Sequence, residues 1–318
     1  MRTVWRLADV LGITFPLFAL IALGYGLVRF GVFSGEVLRA LGRYVLNVAI
    51  PALIFSSVTR TPLSDLMVPA YVLTYAAAAL VTGAAAWLWF RAAGAPAGRR
   101  GLAILGAAVP NSVFIGFPLL SLVLPDIAAR AFAMNLVVEN FLLIPLALLV
   151  AEAGRGGGGA PLRRIGATLL GLAKRPFVAG LIAGVAVQAT GLPVPEPLSR
   201  TIDIVAASAA AVALIFIGGS LVGLDARGDA ATAGVLVAAK LILMPAVAGA
   251  ILVLLDRAGV TLPPDLAVAL VIGAAVPTLS LFPVLAQDYG ETRMASLTLL
   301  VSNVAAFGTI NLLLWTLL

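Results

Sequence analysis

Two short segments of the chain place polar side chains directly after a proline, in the middle of an apolar run. The segments read ILGAAVP and VIGAAVP, and they end at Pro110 and Pro277. The polar residues that follow are Asn111 and Ser112 in the first segment, and Thr278 and Ser280 in the second. A proline inside a helix removes one backbone hydrogen bond, and in a bilayer the freed groups survive only where protein or a water-filled cavity satisfies them. The same break in two corresponding places predicts the binding site of a membrane transporter.

The chemistry of such a break suits an organic anion. The N-terminus of a half-helix offers free N–H groups and partial positive charge, whereas its C-terminus offers carbonyl groups to a cation. Pro118 and Pro283 suit the first turn of a second half-helix, and Gly116 permits backbone dihedrals that other residues avoid. The alternative is that the prolines only kink two helices, which is common in membranes. The expected substrate-binding residues are Pro110, Asn111, Ser112, Pro277, Thr278 and Ser280.

Two ionisable residues interrupt other apolar runs, Glu139 in NLVVENFLL and Lys240 in VLVAAKLILMP. A carboxylate inside a membrane is costly unless it is paired or protonated, so Glu139 is a candidate carrier of a coupling proton. Lys240 could pair with Glu139, contact an anion or extend to a membrane interface. Asn140 and Asn303 join them as candidates for proton or ion coupling. For Glu139 and Asn303, helix packing through hydrogen bonds is the alternative.

Composition places the chain in a membrane. Of its 318 residues, 62% are apolar and only 11% are charged, far from the values of soluble domains. The net charge of +6 comes from basic residues in short loops. Such residues indicate how the chain is oriented in the membrane, and we expect no nucleic-acid partner. The chain has no Cys and no His, so we expect no metal site, no cofactor and no enzymatic activity.

Ten apolar runs are long enough to predict membrane-spanning helices. They lie near residues 9–28, 37–58, 66–90, 100–124, 127–152, 175–190, 198–221, 231–255, 265–287 and 293–316. With ten spans, six basic residues fall on the side of the N-terminus and thirteen on the other side. Because basic loops face the cytoplasm, we expect a multi-pass protein of the bacterial plasma (inner) membrane with both termini outside.

The chain also repeats itself at an interval of about 160 residues. The tetrapeptide ALIF at 52–55 recurs at 213–216, and the pair Arg130 and Asn140 recurs as Arg293 and Asn303. Residues 1–153 and 175–318 are thus predicted as two five-helix repeats, joined by a Gly-rich cytoplasmic linker at 154–174. Since five is odd, the second repeat is inverted relative to the first. The fold prediction is therefore an all-α membrane protein of ten helices, in which broken helices four and nine cross.

Three motifs resemble the auxin efflux carrier family over essentially the whole chain. They are NVAIPALIFSSV at 47–58, VPNSVFIGFPLL at 109–120 and AAVPTLSLFPVLAQDYG at 274–290. The resemblance implies ten helices in inverted repeats, an outside N-terminus, and a transport domain that moves against a scaffold like an elevator. It also implies that Asn111, Pro110 and Pro277 line an anion site. Val113 departs from the small residue usual after the Asn, and the short central loop differs from that of many plant members.

These observations predict a bacterial-type secondary transporter of a small organic anion, in particular a carboxylate. It is expected to work by alternating access around the helix four and nine crossover, with a proton or sodium as the coupling ion. The alternative within the same architecture is a sodium-coupled symporter of the bile-acid-symporter type. An intramembrane enzyme or a receptor forms a third class, which accumulation of solute against a gradient would exclude. The expected partners are the anion and the lipid bilayer, and a homodimer is left open.

Overall fold

The structure, a computed structural model, describes residues 7–62, 66–152, 176–191, 193–224 and 229–317. Within these ranges the chain is helical and contains no β-strand. The helices in chain order are α1 (Leu7–Arg29), α2 (Gly35–Arg60), α3 (Pro69–Ala92), α4 (Ala97–Ala108), α5 (Ser112–Val123), α6 (Pro125–Glu152), α7 (Pro176–Thr190), α8 (Glu196–Ser220), α9 (Ala230–Arg257), α10 (Pro264–Ala275), α11 (Phe282–Gln287) and α12 (Thr292–Leu317).

Seven of these helices are long and apolar enough to cross a membrane, namely α1, α2, α3, α6, α8, α9 and α12. Three shorter apolar helices, α5, α7 and α10, lie between them. The protein is therefore an all-helical, multi-pass membrane protein, and the count of ten spans stays a prediction. The predicted linker at 154–174 and the boundaries at residues 153 and 175 lie outside the described residues.

Local sequence explains where several helices begin and end. Ser34 caps α2 by accepting a hydrogen bond from the backbone N–H of Val37. Asp229 caps α9 by accepting from the N–H groups of Ala231 and Thr232. Its side-chain hydrogen bond with Thr232, together with these backbone bonds, holds the pKa of Asp229 below its usual range. After α9 the chain turns at Gly259, whose φ of +80° suits glycine.

Helices α1, α2, α7 and α8 pack as one group, and glycines let their backbones approach closely. A Cβ atom on Gly218 of α8 would lie 1.8 Å from the carbonyl oxygen of Ile21 in α1. Reciprocally, a Cβ atom on Gly24 of α1 would lie 2.1 Å from the carbonyl oxygen of Ile215 in α8. Neither position can therefore accept a side chain without a backbone shift. Small residues at helix contacts are the usual means of tight packing in membranes.

The remaining helices, α3 to α6 and α9 to α12, form a second group. In this group Gly101 of α4 packs against the backbone of Ala151 in α6, where a Cβ atom would lie 2.3 Å from its nitrogen. The two groups meet through aromatic contacts, including Phe114 of α5 stacked on Phe216 of α8 with ring centroids 4.5 Å apart. A polar contact between the groups joins α1 to α12, where the Thr14 hydroxyl donates to Asn311 Oδ1 at 2.7 Å.

Candidate functional site

The two proline breaks lie against each other. One is the unwound segment between α4 and α5, and the other is the segment between α10 and α11. The backbone N–H of Asn111 donates to Pro277 O at 2.8 Å, and that of Leu279 donates to Val109 O at 3.0 Å. Pro110 and Thr278 face each other as one antiparallel bridge. Each segment thus supplies partners for backbone groups that the other releases, as an apolar environment requires.

The helix-break residues have distinct local roles. Pro118 stands in the first turn of the regular part of α5, and Pro283 stands in the first turn of α11. At Pro283 the missing N–H has no partner within the helix, whereas Pro118 lies inside α5, directly after the π-helical turn Ser112–Gly116. Gly116 has ordinary helical dihedrals (φ −61°, ψ −50°), so it does not use the conformational freedom of glycine. Its lack of a side chain instead allows the Val276 methyl of the second break to approach, since a Cβ atom would lie 3.3 Å from it.

A cavity of about 340 Å³ opens beside the paired breaks. Its lining comes from both breaks, from α2 and from α6. The polar side chains among its lining residues are those of Asn111, Ser112, Glu139, Asn140 and Ser280. The rest of the lining is apolar apart from backbone groups, as is typical of a small-molecule site.

Asn111 and Ser280 present unpartnered polar atoms at this cavity. Asn111 is fully buried, and among the described residues neither its Oδ1 nor its Nδ2 has a hydrogen-bond partner. The Ser280 hydroxyl is likewise buried without a partner in the described part of the chain. A buried polar group left without a hydrogen bond costs about 1–3 kcal/mol. These atoms are therefore suited to bind a polar ligand in the cavity.

Glu139 lies on α6 at the start of a π-helical turn, Glu139–Leu143, and also faces the cavity. Its Oε1 accepts a hydrogen bond from the Tyr75 hydroxyl at 2.7 Å and another from the Ser112 hydroxyl at 2.5 Å. The carboxyl group thereby joins α3, α5 and α6. Because Ser112 directly follows Asn111, this hydrogen bond connects Glu139 to the first break.

Lys240 is fully buried on α9, inside the protein rather than at an interface. Its ammonium donates to the Ala274 carbonyl oxygen in the last turn of α10 and contacts the Met244 sulfur at 3.3 Å. A cation at a helix C-terminus opposes the negative end of the helix dipole. Within the described residues Lys240 and Glu139 form no direct ion pair.

The structure separates the predicted site residues into two sets. The residues that line the cavity are Pro110, Asn111, Ser112, Ser280, Glu139 and Asn140. The predicted residues that are not among its lining are Pro277, Thr278, Lys240 and Asn303. The Thr278 hydroxyl donates to Gly106 O at 2.9 Å, and its backbone N–H donates to Ser302 Oγ at 3.0 Å.

The two predicted asparagines bond within their own helices. Asn140 and Asn303 each donate their side-chain amide to the carbonyl four residues earlier, at 3.0 Å and 2.7 Å. The Oδ1 of Asn303 is buried with no partner among the described residues.

Two polar residues of this region escaped the sequence analysis. Tyr75 holds the Glu139 carboxylate, and Ser302 accepts the Thr278 N–H. A signal for Tyr75 was present, because Tyr71 and Tyr75 stand four residues apart in an apolar helix and buried tyrosine hydroxyls usually have a partner. Tyr71 indeed donates to Asn135 Oδ1 at 2.9 Å. Nothing in the local sequence distinguishes Ser302 from a serine that packs one helix on another.

The part of the chain that the structure describes contains no cluster of three or more His, Cys, Asp or Glu side chains suited to a metal ion. What the arrangement offers is hydrogen bonding. It comprises an amide with a free donor and acceptor, a free hydroxyl, and a carboxyl group held by two hydroxyl donors.

Comparisons with known proteins identify the family of the chain. The profile of a family described as "Membrane transport protein" matches residues 9–158 and 160–316. A Rhizobium meliloti (strain 1021) protein whose name proposes malonate transport is 31% identical over 97% of this chain and 96% of its own length. An uncharacterized transporter of Methanothermobacter thermautotrophicus is 37% identical over 31% of this chain and 33% of its own length.

A third relative covers more of the chain at lower identity. The uncharacterized transporter YfdV of Escherichia coli (strain K12) is 25% identical over 65% of this chain and 67% of its own length. The family match extends over both halves and includes both proline breaks. The chain is therefore a membrane transporter and belongs to this family of membrane transport proteins, the auxin efflux carrier family that its motifs resemble.

Proposed function

We propose that the protein is a secondary active transporter of a small organic anion, a carboxylate, bound in the cavity beside the two breaks. The observation that carries this proposal is the fully buried Asn111, which lines a cavity of about 340 Å³ and whose amide oxygen and nitrogen have no partner among the described residues. A cavity of this size accommodates a small dicarboxylate. The relative whose name proposes malonate transport makes malonate the first substrate to test.

The backbone beside Asn111 supports binding of an anion. The first turn of α5 carries the N–H groups of Ser112, Val113 and Phe114, and a helix of this length offers its first N–H groups to an external acceptor. These three residues line the cavity. The positive end of the helix dipole adds to the attraction for a carboxylate.

The architecture that we propose is ten spans in two inverted repeats of five. The seven long helices, the short helix α7 and the two broken pairs α4–α5 and α10–α11 follow one another in the order that this arrangement requires. The antiparallel pairing of Pro110 with Thr278 supports it, because an inverted repeat brings corresponding segments together in opposite directions.

The mechanism that we propose is alternating access by an elevator-like motion of one helix group against the other. Helices α1, α2, α7 and α8 act as the scaffold, since they pack as one group and contain neither break nor Glu139. Both breaks and Glu139 belong to the second group, which would carry the substrate. The contacts between the groups include the ring pairs Phe18–Phe307 and Phe114–Phe216, which can slide without breaking a hydrogen bond.

A cross-link between the groups tests this motion. The chain has no native cysteine, so Thr14→Cys with Asn311→Cys can be cross-linked cleanly. The two native side chains are 2.7 Å apart, and linking α1 to α12 should abolish transport. The matched control, Ser56→Cys with Asp203→Cys, replaces a 2.7 Å contact inside the scaffold group and should leave transport intact. Full transport by the linked Thr14–Asn311 pair would contradict the elevator mechanism.

Glu139 is the group that we propose to carry a coupling proton, because its carboxyl group lies at the cavity and contacts Ser112. Glu139→Gln keeps the shape of the side chain and removes the exchangeable proton, so proton-driven uptake should be lost while substrate binding remains. Uptake that still responds to a pH gradient in this variant would remove Glu139 from the coupling mechanism. The same vesicles, assayed with and without sodium, test the sodium-coupled alternative.

Flux of labelled malonate into proteoliposomes tests the substrate site. Asn111→Ala should reduce both binding and uptake by about tenfold or more, because it removes a donor and an acceptor at the cavity. Ser121→Ala is the control, since it deletes a hydroxyl of the same helix that bonds only to Phe117 O. Unchanged uptake by Asn111→Ala would show that the substrate binds elsewhere.

A further inference from the structure

Two arginines lie against one tryptophan at the turn between α3 and α4. The Cζ atom of Arg91 is 5.1 Å from the centroid of the Trp87 ring, and that of Arg100 is 5.8 Å from it. A guanidinium group keeps its charge at any physiological pH. The face of an aromatic ring attracts a cation and holds it in place, but it does not neutralise the charge. The turn therefore concentrates two positive charges around one side chain.

The protein supplies no counter-charge for this pair within the described ranges. Neither Arg91 nor Arg100 forms an ion pair there, and the Nε of Arg100 is buried without a hydrogen-bond partner. The adjacent Arg99 differs, because it donates two hydrogen bonds to the Glu291 carboxylate, at 2.7 Å and 3.0 Å. The first turn of α4 contains no acidic residue, and the helix dipole adds positive charge at that end. An anion from outside the protein would fill the missing role.

The surroundings of the turn point to the membrane as the source of this anion. The linker at 154–174 contains four basic residues and no acidic one, so it cannot provide a carboxylate. The distribution of basic residues predicts that both this linker and the α3–α4 turn face the cytoplasm. The cytoplasmic leaflet carries anionic phospholipids, which basic residues next to a membrane helix attract.

An exposed apolar face of α3 leads to the two arginines. Leu73, Leu80 and Leu88 are exposed and recur at intervals of seven and eight residues, which places them on one side of the helix. Arg91 follows Leu88 by three residues and is exposed on the same side. From Leu73 to Arg91 the helix rises about 27 Å, close to the thickness of the hydrocarbon core. This face can therefore pack along an acyl chain, with a cation where the headgroup lies.

We propose that the α3–α4 turn binds the headgroup phosphate of an anionic phospholipid of the cytoplasmic leaflet. Arg91 and Arg100 donate hydrogen bonds to the phosphate, and Trp87 holds both guanidinium groups in position. Arginine suits this role because its planar group can donate two parallel hydrogen bonds to a phosphate. The exposed Trp89 beside them is typical of a membrane interface. The lipid site is independent of the substrate cavity, whose lining includes none of these residues.

Titration of lipid into the purified protein in detergent, with bound lipid counted by native mass spectrometry, tests the choice of ligand. Phosphatidylglycerol should bind about tenfold or more tightly than phosphatidylcholine, whose choline cation offsets the phosphate charge. Equal affinity for the two lipids would overturn the proposal, because the acyl chains alone would then account for binding. Inorganic phosphate at the same concentration should not displace phosphatidylglycerol, since it has no chain to pack on α3. Displacement by inorganic phosphate would show that the site takes a soluble anion and no lipid.

A pair of double variants locates the binding. Arg91→Gln with Arg100→Gln should weaken phosphatidylglycerol binding by about tenfold or more. The matched control, Arg29→Gln with Arg39→Gln, removes two exposed cations that are predicted on the same side of the membrane and should leave the affinity unchanged. Equal weakening in both proteins would contradict the site, because binding would then follow net charge alone. Where the Arg100 substitution prevents folding, Arg91→Gln on its exposed side chain should still weaken binding.

Substitutions of Trp87 test how the arginines are held. Trp87→Leu removes the ring that positions both guanidinium groups and should weaken phosphatidylglycerol binding, whereas Trp87→Phe keeps an aromatic face and should retain more of the affinity. Full affinity in a Trp87→Leu protein of unchanged thermal stability would rule out the ring as the element that organises the site.

Discussion

At the scale of single residues, the site is defined by which polar groups have partners and which do not. Glu139 has two hydroxyl donors, and Lys240 has the end of α10. Asn111 and Ser280 have none among the described residues, and both are lining residues of the cavity. A fully satisfied polar group rigidifies the surrounding structure, whereas an unsatisfied one at a cavity is available to a ligand. The site thus combines polar groups held in place by hydrogen bonds with polar atoms that have no partner among the described residues.

Two tyrosines on α3 provide a matched test of the proposed role of Glu139. Tyr75→Phe removes a donor that stabilises the ionised carboxylate, so the pH of half-maximal uptake should move upward. Tyr71→Phe removes the comparable bond to Asn135 and should cost about 1 kcal/mol of stability without moving the pH profile. The measurement is malonate uptake into proteoliposomes over a pH series. An identical shift in both variants would show that the effect belongs to the fold and not to Glu139.

Lys240 and Glu139 should be coupled in stability although they form no direct ion pair. Lys240→Met leaves Ala274 O without its charged donor. This loss should lower the free energy of unfolding by about 1.5–3 kcal/mol. Adding Glu139→Gln should cost less in this background than in the wild type, because the buried negative charge is already uncompensated. Unfolding free energies of the four proteins in detergent measure the coupling. Strict additivity would show that the two groups act independently.

At the scale of secondary-structure elements, departures from regular α-helix coincide with the site. Besides the two proline breaks, π-helical turns occur at Val45–Ala49, Ser112–Gly116, Glu139–Leu143 and Ala239–Leu243. The second starts at the first break, the third starts at Glu139 and the fourth contains Lys240. Single π-helical turns inside helices are frequently functional, because they free or redirect backbone and side-chain groups. The polar side chains in the second, third and fourth turns are buried, whereas Asn47 in the first turn is exposed.

The glycines of the α1–α8 contact give a prediction at this scale. Gly218→Ala introduces a methyl group where the Ile21 carbonyl oxygen is 1.8 Å away, so it should lower stability by about 1–3 kcal/mol. Gly12→Ala, on an open face of α1 with nothing within 4 Å, should instead raise stability by about 0.5–1 kcal/mol. Thermal unfolding of the purified variants distinguishes them. Equal stability of the two variants would rule out close packing as the role of Gly218.

At the scale of the whole molecule, the distribution of basic residues predicts which side of the membrane each loop faces. The described loops provide positions at which this topology can be tested. Ala93 follows α3 and Val260 follows α9, and both are exposed. With both termini outside, Ala93→Cys should react with an impermeant thiol reagent only after the membrane is permeabilised, whereas Val260→Cys should react in intact cells. Because the chain has no native cysteine, labelling reports these positions alone. The reverse pattern would invert the proposed topology.

The sequence by itself determined that the chain is an all-helical membrane protein, where its apolar runs lie and where two of them are interrupted. These properties are local, since hydropathy and proline act on the segment that contains them. The motifs also identified the family, which the match over residues 9–158 and 160–316 established. Asn111, Ser112, Ser280 and Glu139 could be selected as candidates because a polar residue in an apolar run is costly wherever it points.

Only the tertiary structure decided which candidates share a cavity and which have other partners. Thr278 and Ser280 look equivalent in sequence, yet Thr278 bonds to Gly106 while Ser280 lines the cavity. Lys240 could have extended to an interface, and its partner at the end of α10 lies 34 residues away. The physical reason is that hydrogen-bond partners and burial depend on helices that are distant in sequence, which no local pattern specifies. That the Asn111 amide has no hydrogen-bond partner among the described residues is likewise a property of the assembled helices and not of its local sequence.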